Sequence, residues 1–375
     1  MRLEIFGEIF SSSGYSQHTR FLANALFQFH DDINLNIPLP QGWETMVNDK
    51  EMSMINKPPV KDYTAIFIGQ PQAWRFVLSN KPTKFGGYII FEGDSIPLSW
   101  IEYMADKRVD WLFVPSNHVK QALINAIEAY KTQYKADYSY ILDKVYQIPH
   151  GVDDTIYKPN KEVLKDDGRL HFICSKGWRG GWNDRSGIAY LLKAFIEEFH
   201  ESDFVSLYVH INPAYPCNLV EELQKLGLRQ EDVPEVKLEM RYLTYKELNE
   251  FYNQGDVYVS TSMAEAFNIP LIEAMACGKP CISTFYGGMS DFVTEQNGWL
   301  IGGELIPVTW DLQYEGTQWL KPDIQQLQKV MRNIYEKWKQ GDTSELSAKS
   351  ANALATSKEY TWELSARKLL EIIQK

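Results

Sequence analysis

Apolar positions recur along the 375-residue chain in two successive rhythms of strand and helix. Runs with strand character lie at 2–6, 33–37, 64–68, 88–91, 111–114 and 145–148, with helical periodicity between them. Between the first two runs, Phe21, Leu22, Ala25, Leu26 and Phe29 share one helical face. A second set of strands follows near 170–174, 204–211, 236–239, 257–261 and 280–283, separated by helices such as Tyr190 to Phe199 and Glu247 to Gln254. Strands alternating with helices predict parallel sheets, and two such sets predict two doubly wound α/β domains. The polar stretch 157–168, with Pro159 and Gly168, reads as a linker between a first domain over 1–156 and a second over 169–354. Residues 302–322 break the rhythm with Gly, Pro, Trp310 and Trp319 and read as a surface insertion. Amphipathic helices close the chain, the last around Trp362 to Ile373.

The most informative stretch runs from Ser262 to Ile282, SMAEAFNIPLIEAMACGKPCI. Val257 to Thr261 reads as a strand, and Pro270 suits the first turn of a helix, where its missing N–H costs nothing. Leu271, Ile272, Met275 and Ala276 give that helix an apolar face, Gly278 stops it, and a further strand begins at Pro280. Glu265 then sits in the loop at the carboxyl end of a strand, where open α/β sheets bind ligands. Glu273 falls in the first turn of the helix, and the stretch Asn268, Ile269, Pro270 and Leu271 is a helix start whose free N–H groups suit phosphate. Carboxylates on either side of such a cradle can accept hydrogen bonds from sugar or ribose hydroxyls. On these residues alone, a structural alternative stays open: Glu273 complements the helix dipole and Glu265 is solvated.

The whole string resembles the Glu-x7-Glu signature of retaining GT-B glycosyltransferases, family 4 (glycosyl transferases group 1), with its Glu-Ala-Met-Ala-x-Gly-x-Pro continuation. The resemblance implies two Rossmann-like domains facing a central cleft, with residues 355–375 forming a helix that crosses back to the first domain. It implies that Glu265 holds hydroxyls of the donor sugar and Glu273 the ribose of its nucleotide. Asn268 stands where the family usually has glycine.

Further segments take their roles from the same resemblance. Lys176 to Gly187 is a glycine-rich basic loop between a strand and a helix, able to balance a diphosphate, or else an ordinary charged surface loop. The family places an arginine and a lysine here on the leaving diphosphate. This chain has Ser186 at the lysine position, so the role falls to Lys176 and Arg185, with Arg179 in reserve. The loop ending at Gly14 and Tyr15 lacks Gly-x-Gly-x-x-Gly and taken alone is a tight turn; in the family it lies between donor diphosphate and acceptor. Glu92 and Asp94 follow a strand, where carboxylates are poor core residues; they could cap the next helix or meet a sugar. Many members carry a His-Asp pair near here, and since this chain has Glu92 the histidine role is not carried over and both stand as sugar-site candidates only. A lone histidine such as His150, in Ile148 to Asp153, is more often structural than catalytic, but the string matches the exposed loop that ends the first domain and would border the cleft, which makes His150, with Tyr15, a sugar or acceptor candidate. Tyr242 and Leu243 lie in the loop where the family packs the nucleobase, before a helix with Thr244 and Glu247 at capping-box spacing. Among the tryptophans, Trp178 and Trp182 are the candidates for sugar stacking.

Composition bounds the partners. A net charge of −11 argues against nucleic acid. No apolar run reaches the about 18 residues of a membrane span, and Met1 to Phe6 begins directly as a strand without a signal peptide. Lys120, Lys131, Lys135 and Lys144 among tyrosines leave peripheral membrane contact open, though acids are interspersed. Cys174, Cys217, Cys277 and Cys281 have no zinc spacing and read as reduced structural thiols of a cytoplasmic protein. The histidines are scattered and form no metal-ligand cluster, and no Asp-x-Asp occurs. The resemblance implies a reaction that needs no bound metal or cofactor, with the nucleotide sugar as co-substrate. The expectation is a retaining, metal-independent hexosyl transfer from a nucleotide sugar to a hydroxyl of a carbohydrate, lipid-linked or small-molecule acceptor. The alternatives are a nucleotide-sugar epimerase or phosphorylase on the same fold, or a non-catalytic nucleotide- or glycan-binding protein.

Overall fold

The computed structural model describes residues 1–11, 13–37, 47–55, 57–163, 167–213, 218–227 and 235–375. Cys217 and part of the expected linker lie outside these residues. The chain divides into two compact units, one of Met1–Gly151, Asp311–Thr317 and Thr361–Lys375, the other of Val152–Trp310 and Gln318–Tyr360.

The first unit runs β1 (Arg2–Phe6), α1 (Gly14–Leu26), β2 (Ile33–Asn36), α2 (Asp49–Met54), β3 (Tyr63–Ile68), α3 (Trp74–Leu78), β4 (Lys84–Tyr88), α4 (Ile101–Met104), β5 (Trp111–Val114), α5 (Asn117–Tyr134) and β6 (Val145–Gln147). Its strands form one sheet of order β2-β1-β3-β4-β5-β6 with every pairing parallel. The strand order reverses between β1 and β3, so the loop leading to Gly14 opens at the switch point where doubly wound sheets take ligands. Ser13 caps α1 by accepting the amide of Ser16.

The second unit runs β7 (Leu170–Lys176), α6 (Ile188–Glu198), β8 (Val205–Ile211), α7 (Leu219–Lys225), β9 (Glu235–Glu239), α8 (Tyr245–Gln254), β10 (Val257–Ser260), α9 (Ile269–Ala276), β11 (Cys281–Thr284) and β12 (Gly298–Ile301). After β13 (Gly303–Pro307) and β14 (Gln318–Pro322) come α10 (Ile324–Lys339) and α11 (Ser344–Ser357), while α12 (Trp362–Ile373) belongs to the first unit. The sheet order is β12-β11-β10-β7-β8-β9, the Rossmann order, with its reversal between β7 and β10. All seven residues of β7 and of β8 are buried, as strands covered on both faces must be. One face packs Leu191 and Phe195 of α6 with Leu327, Met331 and Tyr335 of α10.

Several details differ from the sequence expectation. The fourth strand lies at 84–88 rather than 88–91, because Gly86 and Gly87, poor strand formers, are where aromatic rings press on the sheet. A Cβ on Gly87 would meet the Trp74 ring at 2.2 Å, and one on Gly86 the Phe113 ring at 2.5 Å. The insertion at 302–322 is an antiparallel hairpin whose tip, Asp311–Thr317, is counted with the first unit. The division between units falls at Gly151–Val152, ahead of the stretch read as linker. Residues 158 and 160 are hydrogen-bonded through their amides to the side chains of Asn249 and Asn253 on α8, at 3.1 and 2.8 Å. Among the described residues no helix is long and apolar enough to cross a membrane.

His150 is not the exposed loop residue expected from the sequence. It is buried against His18, ring centroids 4.3 Å apart, and both rings stack on Trp362 of α12. The loop folds inward because Gly151 lets the backbone approach Thr361 and Trp362, where a Cβ would come within 2.3 Å. Burial pushes both histidines down, His150 to about 3 and His18 well below its usual value, the latter also through the charge of His150. The native rings are therefore neutral, while the unfolded chain takes up protons below about pH 6.5. Stability should be full above that pH and fall as pH drops toward 3, by up to about 1.4 kcal/mol per pH unit for each ring. Urea midpoints between pH 7.5 and 5 measure this; His150→Leu should flatten the slope, and an unchanged slope would contradict the assignment.

Candidate functional site

At the switch point of the second sheet, β7 ends in Lys176 and β10 leads into the loop 261–268. Lys176 Nζ donates to Glu265 Oε1 at 2.8 Å, to Asn268 Oδ1 at 3.2 Å, and to Ser262 Oγ. Ser262 in turn donates to Glu265 Oε1 at 2.9 Å. On the other side, Arg185 Nη1 reaches Glu265 Oε2 at 2.7 Å and the Ala264 carbonyl at 2.9 Å. The Glu265 carboxylate is thus bracketed by two cations. Burial alone would raise its pKa; the charges of Lys176 and Arg185 outweigh that and hold it at about 2. Side-chain exposure rises from 4% at Lys176 through 16% at Glu265 to 33% at Arg185, so the group opens to solvent on the arginine side.

The backbone around this group is fixed by close approaches. Gly187, at φ +69°, starts α6, and a Cβ there would lie 1.9 Å from the Thr261 carbonyl oxygen. The Met263 amide donates to the Arg185 carbonyl at 2.9 Å, which ties the basic loop to the acidic one. Gly288 N donates to the Glu265 carbonyl at 2.7 Å, and a Cβ on Gly288 would meet Ala266 O at 2.0 Å. Ser262, Gly287 and Gly288 were not singled out from the sequence. Gly287 and Gly288 follow the β11 strand, and a Gly-Gly pair at a strand's carboxyl end is the signal that could have found them.

Asn268 sits at φ +85° as the N-cap of α9, so the glycine expected there is replaced by a residue that tolerates the left-handed region. Its side chain is spent elsewhere, donating to Ser260 Oγ at 2.9 Å while accepting from Lys176. Pro270 lies in the first turn, as expected. Leu271 N bonds back to Asn268 O at 3.2 Å and proline has no N–H, so Asn268 and Ile269 are the amides this turn can offer a ligand. Glu273 is the fifth residue of α9 rather than part of its first turn. It is buried, and the Tyr252 hydroxyl donates to its Oε2 at 2.9 Å. Burial and the Glu273 charge together raise the Tyr252 and Tyr157 phenols well above their usual value, keeping both protonated.

Arg179 is exposed, its backbone amide bonding Asp184 at 3.2 Å, and Ser186 is tied by amide and hydroxyl to the same Asp184. Trp178 is fully buried in the core and so unavailable for sugar stacking; Trp182 packs edge-on to Tyr190 at 5.2 Å. Tyr242 is 42% exposed beside Leu243, ahead of the capping box that Thr244 and Glu247 form on α8. Cys174, Cys277 and Cys281 are buried free thiols, pushed up to about 12 by burial. No cluster suited to a metal ion occurs among the described residues.

The first unit gathers a separate set. Gly14 opens α1 with nothing within 4 Å of a Cβ, so packing does not demand glycine and the space beside the helix start is open. Tyr15 donates to the Ile90 carbonyl at 3.2 Å. Glu92 Oε2 accepts from the Tyr314 hydroxyl at 2.6 Å, and its carbonyl lies 3.2 Å from His118 Nε2. The Asp94 carbonyl accepts from Asn125 at 2.8 Å.

Two parallel-sheet Rossmann-like units define the GT-B fold. The fold of HepE of Anabaena, solved with UDP and glucose, superposes with a TM-score of 0.70 at 14% identity, covering 100% of this chain and 99% of that one. Sucrose-phosphate synthase from Thermosynechococcus elongatus gives 0.65 at 14% identity over 100% and 98%. Residues 177–307 match the family model described as Glycosyl transferases group 1. The chain is 25% identical over 252 residues to a probable sucrose-phosphate synthase of Thermosipho melanesiensis, an alignment covering 65% of this chain and 50% of that protein. It is 26% identical over 179 residues to a D-inositol 3-phosphate glycosyltransferase of Pseudarthrobacter chlorophenolicus, covering 46% and 40%. The chain thus spans half or less of the length of these two curated relatives.

The left-handed position can be tested directly. Asn268→Gly and Asn268→Ala both remove the side-chain bonds to Lys176 and Ser260, but only alanine pays for positive φ. The alanine variant should be less stable than the glycine variant by about 1–2 kcal/mol in urea unfolding.

Proposed function

We propose that this protein is a retaining glycosyltransferase that moves a sugar from a nucleotide-sugar donor to a hydroxyl acceptor, with side chains neutralising the leaving diphosphate. What carries the reading is Glu265, held ionised between Lys176 and Arg185 at a Rossmann switch point inside the segment that matches the glycosyltransferase model. Lys176, Arg185 and Glu265 are paired with one another. An arriving diphosphate offers Arg185 and Lys176 a second anion, and the Glu265 carboxylate then has lone pairs for sugar hydroxyls. With a pKa of about 2, Glu265 is an acceptor only at neutral pH, suited to holding hydroxyls and not to donating a proton.

The chemistry follows from charge. Negative charge grows on the diphosphate as the glycosidic bond breaks, and preorganised cations stabilise that charge more than the ground state. Arg185, the more exposed cation, is the first to meet the donor; Lys176, anchored by Ser262 and Asn268, supplies fixed charge behind it. The amides of Asn268 and Ile269 complete the phosphate side within the second unit, and Glu273 serves the ribose. The leaving phosphate takes the acceptor's proton, so the new bond forms on the face the nucleotide leaves. Glu92, Asp94 and Tyr15 are the sugar and acceptor candidates. A glycan, glycolipid or small molecule would serve as acceptor.

The solved HepE complexes hold UDP or UDP-glucose, which puts uridine diphosphate first in a binding panel. A thermal-shift series of UDP, GDP and ADP should show one preferred nucleotide raising the melting temperature. Glu265→Gln, checked for folding by its own melting curve, should cut sugar transfer by about 10²–10³-fold; near-normal rates would remove Glu265 from the site. Transfer should persist in EDTA. Epimerised donor in the absence of acceptor would instead favour the epimerase alternative.

A further inference from the structure

Two polar side chains with no part in the cation–carboxylate group lie just behind it. Ser175 precedes Lys176 on β7, and His210 stands opposite it on β8 in the parallel register; each is 5% exposed. Ser175 Oγ lies 2.8 Å from His210 Nδ1, and His210 Nε2 lies 3.0 Å from the Arg241 carbonyl oxygen. A carbonyl can only accept, so Nε2 carries the hydrogen, Nδ1 presents its lone pair, and the serine hydroxyl donates to it. The three groups form a directed chain with a single tautomer. Its anchor is firm: the Tyr258 phenol donates to the Ser175 carbonyl at 3.1 Å, Asn212 N donates to the Lys176 carbonyl at 2.9 Å, and Phe251 of α8 packs on the imidazole at 5.9 Å.

The far end of the chain is the loop between β9 and α8. Holding the Arg241 carbonyl fixes the plane of the 241–242 peptide, because that peptide is rigid. The half-exposed Tyr242 and its neighbour Leu243 follow directly from that plane. At the surface the Arg241 guanidinium is held by Glu239 and Glu247, so both ends of the residue are tied down. A pair of aliphatic residues would hold β7 to β8 at lower desolvation cost. The polar pair adds something else: a rigid link between the strand that carries Lys176 and the loop that carries Tyr242.

We propose that Ser175 and His210 are positioning residues that set the 241–243 loop for the base of a nucleoside diphosphate, and that they determine how strongly the base contributes to donor binding. This rests on the donor site proposed above. Burial keeps His210 neutral by lowering its pKa, with the nearby Arg241 charge acting in the same direction, against the opposing effects of the Arg241 carbonyl and Glu239. The relay therefore persists through the neutral range.

The test compares a probe that has a base with one that has none. Dissociation constants of the full chain for UDP, GDP, ADP and inorganic pyrophosphate are measured by calorimetry for the wild type, His210→Phe, His210→Gln and Ser175→Ala. Phenylalanine keeps the ring and its packing on Phe251 but has no hydrogen to donate; glutamine can still donate to the Arg241 carbonyl. His210→Phe should weaken the preferred nucleoside diphosphate about tenfold while pyrophosphate changes less than about twofold, one hydrogen bond being the difference. His210→Gln should recover most of the loss, and Ser175→Ala, the mildest change, should lose about threefold. Equal losses for nucleotide and pyrophosphate, or no recovery with glutamine, would overturn the relay while leaving the donor site standing. A wild type that binds pyrophosphate but discriminates no nucleoside diphosphate would overturn both. Should His210→Phe not fold, the ratio in Ser175→Ala decides in the same way.

Discussion

The second unit is organised around one electrostatic requirement: a largely enclosed carboxylate needs partners. Glu265 keeps only 16% of its side chain exposed, so water alone solvates it poorly and nearby cations are what hold it ionised. Two strands, one basic loop and one helix start converge to supply what it needs. Lys176 comes from the end of β7, Arg185 from the loop before α6 and Ser262 from the chain just ahead of Glu265, while Asn268 beyond it holds Lys176 in place. The tight glycines at 187 and 288 exist to let these backbones come close enough. In the donor site proposed above, the same requirement is met when the group changes partners. With Arg185 one-third exposed, that proposal has the arginine turn to phosphate while Lys176 stays on the carboxylate, so that no charge is stranded.

Topology makes this convergence possible. In a Rossmann-ordered sheet, β7 and β10 are far apart in sequence yet adjacent in space, and their following loops diverge to opposite faces. Lys176 and Glu265 therefore meet over a gap rather than over a covered strand. The flavodoxin-like order of the first sheet makes a second gap after β1, beside Gly14.

How much of this was legible in the sequence depended on how local each feature is. Glu265, Asn268 and Pro270 lie in one stretch whose strand, loop and helix can be read from neighbouring residues, and the chain order of sheets and helices followed from periodicity alone. The bond between Lys176 and Glu265 was not readable as a distance, because it spans 89 positions. Ser175 and His210, 35 positions apart, become neighbours only through strand register, which no local pattern fixes. Where packing overrode propensity, reading failed. Gly86 and Gly87 sit inside a strand because Trp74 and Phe113 leave no room for a Cβ. His150 looked like a loop residue until the carboxy-terminal Trp362 supplied the ring that buries it. Glu273 slid out of the first turn because the helix starts one residue ahead of Pro270, at Ile269.

The chain passes from one unit to the other at Gly151–Val152, Trp310–Asp311, Thr317–Gln318 and Tyr360–Thr361. Neither unit is a continuous stretch of polypeptide. A fragment ending at residue 151 would carry the β1–β6 sheet but lack Tyr314, whose hydroxyl engages Glu92, and Trp362, whose ring covers His18 and His150. Such a piece would expose an apolar face and two histidines free to take up protons. For the same reason, a gene crossover at any single joint would separate residues that one unit needs, so inheritance of either half ties it to the other.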